Sequence, residues 1–412
     1  MKTKHLLGLF DHAWVEEELL GDVLDTPEDR ELALEAAQQS MVLLSNDGIL
    51  PLNKEIQSIA VVGPNAGSAK NVLGDYSYTV HLGLEEDSVR VISIIEGLKR
   101  RLPKDTEVLL AEGCGISDPS TTGFSEAVEA ARGADVIIAV MGEKSGLFHP
   151  RAVTGEGRDR TRLSLPGVQE DLLKVLHELG KPIVLVLING RPLSLRWAAE
   201  HCNAILEAWF PGEEAGNAVA GVLVGDVSPS GKLPLSFPED IGQIPVHYNR
   251  NPSSFGDYVS MSSKALYPFG HGLSYTTFRY DELDIVPKKF DSSRRIQVRF
   301  QVENVGNYRG DEVAQLYLCD EVASVSRPAM ELKAFSRISL DPGERKNVVF
   351  DISTDQLAFH DRDMKLIVEP GVFSIMVGSS SDDIRLTGTL EVTRKIEIKA
   401  TERSYMHYTK TS

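Results

Sequence analysis

Asp135-Val136-Ile137-Ile138-Ala139-Val140-Met141-Gly142-Glu143 is the stretch whose reading settles the fold. Unbroken apolar residues, mostly β-branched, sit between a charged start and a Gly-Glu end. That pattern predicts a strand buried on both faces. The same texture recurs on either side: Ile56–Asn65, closed by Gly63-Pro64-Asn65, then residues 107–113, 182–190 and 204–212. Between these runs lie helical spacings at 89–102, 125–132, 167–179 and 213–224. A further helix start is marked by Thr26-Pro27-Glu28-Asp29, with a hydroxyl cap, a proline at the first helical position and an acidic third residue. Strands apolar on both faces, alternating with helices, predict an α/β fold: a doubly wound α/β sandwich with a mostly parallel sheet. Its ligand site is expected at the carboxyl ends of the strands.

After about residue 235 the texture changes. A stretch rich in Pro, Gly, Ser and Tyr reads as an ordered connector, and period-two alternation then takes over in residues 295–304, 312–318, 347–353 and 372–378. Short alternating strands over about 100 residues predict a β-sandwich. The Cys…Trp…Cys spacing of immunoglobulins is missing, so fibronectin type III is the better comparison. The expected division is a linker-like segment 1–27, an α/β sandwich 28–250, a connector 251–288, a fibronectin type III-like domain 289–395 and a polar tail 396–412, mobile or pinned to a partner.

Composition bounds the function. Sixty acidic residues against 43 basic ones give a formal net charge of −17 over 412 residues. Such a surface repels phosphate, which argues against nucleic acid or an anionic membrane as partner. Cys114, Cys202 and Cys319 are too few and too scattered for a disulfide framework or a zinc site. Residues 1–14 fall short of a secretory leader, and no apolar run is long enough to span a membrane, so the expected compartment is the cytoplasm.

Several generic motifs fail on spacing. Gly63-Pro64-Asn65-Ala66-Gly67-Ser68-Ala69-Lys70 fits neither a phosphate-binding loop nor a dinucleotide fingerprint, His177-Glu178 lacks a second histidine four residues on, and no serine sits in a nucleophile elbow. One segment stands out chemically. Lys144 to Arg160, after the strand at 135–143, is a loop longer than compact domains normally carry, and it lies at the expected binding edge. Within it Glu156 lies between Gly155 and Gly157, which lets the backbone approach a ligand and the carboxyl project. The competing structural reading is a solvated flap held by an Asp159–Arg160 ion pair.

These blocks together resemble the C-terminal half of glycoside hydrolase family 3, the exo-acting β-glucosidases and β-xylosidases. The resemblance runs from His5–Phe10 through Val61–Asn65, Gly74-Asp75-Tyr76-Ser77, Gly155–Arg160, Trp209–Gly212 and Ser228–Pro234. It continues through Tyr267–Tyr275, Asn304-Val305-Gly306, Gly310–Val313 and Val377–Ser380. Family members usually begin with a (β/α)8 barrel that carries the Asp nucleophile; this sequence contains no such barrel. In the family, the loop of the α/β sandwich reaches over the barrel and donates the acid/base Glu. By position Glu156 matches that residue, with Glu143 the competitor; Arg158 and Asp159 are the candidate substrate-binding residues.

The resemblance implies a retaining mechanism that needs no metal or organic cofactor. It implies as partners a separate barrel subunit and a β-linked glycoside or oligosaccharide, with further dimerisation through the β-domain. The rival readings are a non-catalytic carbohydrate-associated protein left after loss of the barrel, and a module whose sheet binds an unrelated small ligand. Glucose and xylose both remain open as the sugar, although Asp75-Tyr76-Ser77-Tyr78 is closer to xylosidase-like members.

Overall fold

The computed structural model describes residues 1–14, 16–82, 89–147, 151–251, 256–292, 294–399, 401, 403–404 and 407–412. The quoted loop residues Phe148, His149 and Pro150 lie outside this set. The first helices, α1 (Lys2–Leu6) and α2 (Leu20–Val23), are short, and Leu6, Leu7, Phe10 and Trp14 are exposed. Helix α3 (Pro27–Ser40) starts as its sequence dictates. The Thr26 hydroxyl accepts from the Asp29 N–H while the Asp29 carboxylate accepts from the Thr26 N–H, a reciprocal cap.

The chain then builds a six-stranded sheet from β1 (Val42–Asn46), β2 (Ser58–Val62), β3 (Glu107–Ala111), β4 (Val136–Gly142), β5 (Ile183–Ile188) and β6 (Ala204–Trp209). Their order is β1-β6-β5-β4-β2-β3; every pair is parallel except β1 with β6. Helices α4 (Tyr78–His81), α5 (Ile94–Arg101), α6 (Phe124–Arg132), α7 (Gln169–His177), α8 (Arg196–His201) and α9 (Ala215–Val224) complete the domain. The all-apolar strands follow from this arrangement. In β4, Ile137, Ala139 and Met141 pack with Leu172 and Leu176 of α7, while Ile138 and Val140 share the opposite core with Leu98 of α5 and Val219 of α9. Helices α5 and α9 touch backbone to backbone: a Cβ at Gly97 would sit 1.9 Å from the Gly216 carbonyl oxygen. Strand order reverses at β2, which has β3 on one side and β4 on the other, so the crevice for a ligand opens there.

The second domain is a β-sandwich. Strands β7 (Phe278–Val286), β8 (Lys289–Phe290), β9 (Arg295–Asn304), β10 (Gly310–Asp320), β11 (Glu331–Leu340) and β12 (Arg345–Ser353) come first. They are followed by β13 (Phe359–His360), β14 (Leu366–Val368), β15 (Gly371–Gly378), β16 (Ile384–Val392), β17 (Ile396–Glu397) and β18 (Tyr408–Thr411). A five-stranded sheet β11-β10-β15-β16-β8 faces a four-stranded sheet β18-β12-β9-β7, and β13-β14-β17 form a small third sheet. Inward residues such as Val298, Phe300, Leu316, Phe350 and Ile375 alternate with outward ones and fill the core.

The sandwich is longer than residues 289–395 at both ends. Strand β7 lies inside the expected connector because Phe278, Tyr280 and Ile285 have core to bury against. The expected tail carries β18, which pairs with β12 as an edge strand of the chain's own sheet. The first part of the connector belongs to the α/β domain, where Phe237 and Tyr267 join one core and Leu273 bridges to Leu43. Arg337 of β11 ties the domains together through Ser230 and the Gln39 carbonyl (3.1 Å), and Lys232 pairs with Glu312 (3.3 Å).

Candidate active-site loop

The segment after β4 folds back on itself. The Lys144 carbonyl accepts from the Val153 N–H (2.9 Å), and Ser145 bridges to Thr154, so the two limbs of the loop run side by side. Glu156 lies beyond this closure, between Gly155 (φ +114°) and Gly157 (φ +69°). Its position is set from a distant part of the chain. The Glu156 N–H donates to the Asp75 carboxylate (2.8 Å), and the Tyr76 hydroxyl donates to the Glu156 carboxylate (2.8 Å). Gly155 is required here: a Cβ would meet the Asp75 carboxyl carbon at 3.0 Å, on a backbone that L side chains rarely adopt. Tyr76 stacks on His81 (centroids 5.4 Å apart), which orients its hydroxyl. The nearby carboxylate raises the Tyr76 phenol above the ordinary tyrosine value, chiefly because the hydrogen bond favours the protonated phenol.

Glu143 is a different kind of residue. It is wholly buried, with its N–H donated to the Ile188 carbonyl (2.7 Å). One carboxylate oxygen meets Arg160 at 2.7 Å and Arg191 at 3.2 Å. A carboxylate sealed this way is closed to a ligand, whereas Glu156 is exposed. Arg160 therefore reaches back to Glu143 and to the Ser164 carbonyl (2.8 Å), and none of the described ion pairs joins it to Asp159. Arg158 turns into the loop and donates to the Leu147 carbonyl (3.0 Å); Asp159 is exposed.

A second buried carboxyl, Glu207, feels the charge of Glu143 and accepts from the Trp209 N–H (2.9 Å) and the Asn189 amide (3.1 Å). Burial pushes its pKa up to about 8, against the pull of those two hydrogen bonds and with help from Glu143. Trp209 holds a left-handed backbone (φ +59°) at this strand end. Beside the loop, a cleft of about 630 Å³ opens over the β2–β4 switch point, lined in part by Gly63, Ser68, Asn71, Glu112 and Lys144. Among the described residues, no group of three His, Cys, Asp or Glu side chains converges to hold a metal.

Asp75, Tyr76 and Arg191 join the candidate site, and the sequence alone does not assign them. Asp75 and Tyr76 stand in a recognisable block, but only the fold brings them to Glu156. Arg191 has one usable signal, a cation just past the carboxyl end of a buried strand.

Comparison with known proteins agrees with the two-domain fold. Residues 41–275 match the glycosyl hydrolase family 3 C-terminal domain, and residues 312–381 match a fibronectin type III-like domain. The class is thus the two-domain C-terminal region of a glycoside hydrolase. The chain belongs to glycosyl hydrolase family 3. A β-xylosidase of Formosa agariphila is 41% identical over 93% of this chain and 53% of its own length. A periplasmic β-glucosidase of Salmonella typhimurium is 38% identical over 93% of this chain and 54% of its own. The β-glucosidase of Listeria innocua, solved with isofagomine, superposes with a TM-score of 0.84 at 33% identity, covering 95% of this chain and 54% of that one. The chain spans about half the length of the curated relatives it matches.

Proposed function

We propose that this chain supplies the acid/base carboxylate, Glu156, of a retaining exo-β-glycosidase of β-glucosidase or β-xylosidase type. A (β/α)8 barrel on a separate subunit brings the Asp nucleophile. The observation that carries this reading is the setting of Glu156: an exposed carboxyl, braced through its backbone by Asp75 and through its side chain by Tyr76, at the carboxyl edge of the sheet. In the first step Glu156 gives its proton to the glycosidic oxygen as the C1–O bond breaks and the nucleophile bonds to C1. In the second, ionised Glu156 takes a proton from water, which attacks C1 as the bond between C1 and the Asp nucleophile breaks, and the sugar is released. The two carboxyls must stand about 5–5.5 Å apart, so Glu156 alone performs only half the chemistry.

The N-terminal segment supports a barrel neighbour. Leu6, Leu7, Phe10, Trp14, Val23 and Leu24 are exposed, and apolar side chains grouped in one segment and held in water offer a surface that a partner can cover. The test is reconstitution. The purified chain should leave aryl β-glucosides and β-xylosides intact, while addition of its barrel should restore turnover and give one co-eluting species. Robust hydrolysis by the chain alone would end the two-part reading. Sugar binding without turnover, barrel present, would favour a carbohydrate-binding protein instead.

A further inference from the structure

We propose that Arg191 is a positioning residue for Glu156: seated on the buried Glu143 carboxylate, it grips the loop two residues before and two residues after the acid/base. The inference rests on the acid/base reading of Glu156 above. One ion pair and two hydrogen bonds converge on this one guanidinium. Its Nε lies 3.2 Å from Glu143, and one terminal nitrogen donates to the Thr154 hydroxyl (2.8 Å) and the Arg158 carbonyl (3.2 Å). Thr154 and Arg158 flank Gly155-Glu156-Gly157 symmetrically.

The need for such a grip follows from the tip. Two glycines with positive φ give Glu156 freedom that a general acid must not have. Arg191 ties both ends of that triplet to one buried anchor, because Glu143 is enclosed at the end of β4 and shared with Arg160. Arg191 itself follows β5, where the Asn189 N–H donates to the Trp209 carbonyl (3.1 Å). The ends of β4, β5 and β6 are thus joined to the height of one carboxyl. Only a planar fork with several donors can address a carboxylate, a hydroxyl and a carbonyl together, so lysine is a poor substitute.

Amide exchange on the full chain reads the grip without any activity. Arg191→Gln should speed exchange at residues 154–158 by roughly tenfold and leave β4 and β5 protected, with Arg191→Lys in between. Thr154→Val removes one acceptor and should loosen the same amides, which covers the case in which Arg191→Gln does not fold. In the reconstituted enzyme, Arg191→Gln should cut kcat for alkyl glycosides by about 10²-fold, the scale of a small misplacement of a reacting group. KM should change little, and activated aryl glycosides should suffer less. Millimolar guanidinium should partly restore Arg191→Ala. Unchanged loop protection in folded variants, or equal losses on both substrate types while Glu156→Ala keeps its leaving-group signature, would overturn the proposal. If Glu156→Ala lacks that signature, the acid/base assignment fails instead, and Arg191 positions no acid/base.

Discussion

The hydroxyl of Tyr76 donates a 2.8 Å hydrogen bond to the carboxylate of Glu156, a residue 80 positions further along the chain. Ionising Tyr76 breaks that bond and places a phenolate beside a carboxylate, so its pKa stands above the ordinary tyrosine value. In Glu156→Ala both effects vanish, and Tyr76 should titrate at lower pH than in the parent chain. Tyrosinate absorbance followed against pH, with Tyr76→Phe to identify the signal, measures this. Identical titration in both proteins would mean that the two side chains do not meet in solution.

Glu207 predicts a pH dependence of stability. Its folded pKa of about 8 lies above the ordinary glutamate value of 4.5, so between those limits the folded state holds a proton that the unfolded state has released. Stability must therefore fall as pH rises through this window, by up to about 1.4 kcal/mol per pH unit for one proton. Glu207→Gln keeps the shape and removes the titration. Urea unfolding should show a flatter dependence between pH 5 and 8 in the variant, and the largest gain over the parent at the alkaline end. A parallel curve for the two proteins would contradict the buried protonated carboxyl.

The α/β strands are legible in the sequence because a central parallel strand is buried on both faces and so carries an unbroken apolar run, as β4 and β5 do. Strand β1 is hidden: Met41 prolongs the helical spacing of α3, and the strand's antiparallel pairing with β6 is a tertiary choice. Strand β7 is masked by an irregular register between Asp281 and Asp284, with Glu282 at φ +60°, which breaks the alternation. Strand β18 has no buried residue, so no local pattern can announce it. The loop and Glu156 are legible through length and glycines. Asp75, Tyr76 and Arg191 are not, because contacts 33 to 81 residues apart depend on which strand ends the fold brings together.

The pairing of β18 makes a separate prediction. Asn347 and Ser412 exchange backbone hydrogen bonds of 2.8 and 3.0 Å, and Arg295 lies over the Tyr408 ring at 5.1 Å. Deleting residues 407–412 strips these contacts and leaves β12 as an open edge, a template for another chain. Stability should fall by roughly 1–3 kcal/mol, given the modest net worth of each hydrogen bond. Light scattering should show association that grows with concentration. A truncated chain that stays monomeric with an unchanged melting temperature would show that the strand contributes nothing in solution.

The sharpest prediction concerns Glu156 in the assembled enzyme. On the proposed role, Glu156→Ala removes both the proton donor for the leaving oxygen and the base that activates water. General acid–base assistance is typically worth about 10²–10⁴-fold. How much of it is lost depends on the substrate. An activated phenolate departs without a proton, so such an aryl glycoside should still form the glycosyl-enzyme and give a burst. An alkoxide cannot depart so readily, and a disaccharide should be nearly inert. The second step then limits turnover, because no base remains to deprotonate water. Azide needs no base: in the space the carboxylate leaves, it should attack C1 and yield a glycosyl azide of retained configuration, raising the rate. Glu143→Ala cannot imitate this, since its carboxyl is sealed between Arg160 and Arg191 and no azide placed there would reach C1. The comparison is therefore kinetic and stereochemical at once. If Glu156→Ala slows both substrate types alike and azide changes nothing, the acid/base lies outside this loop.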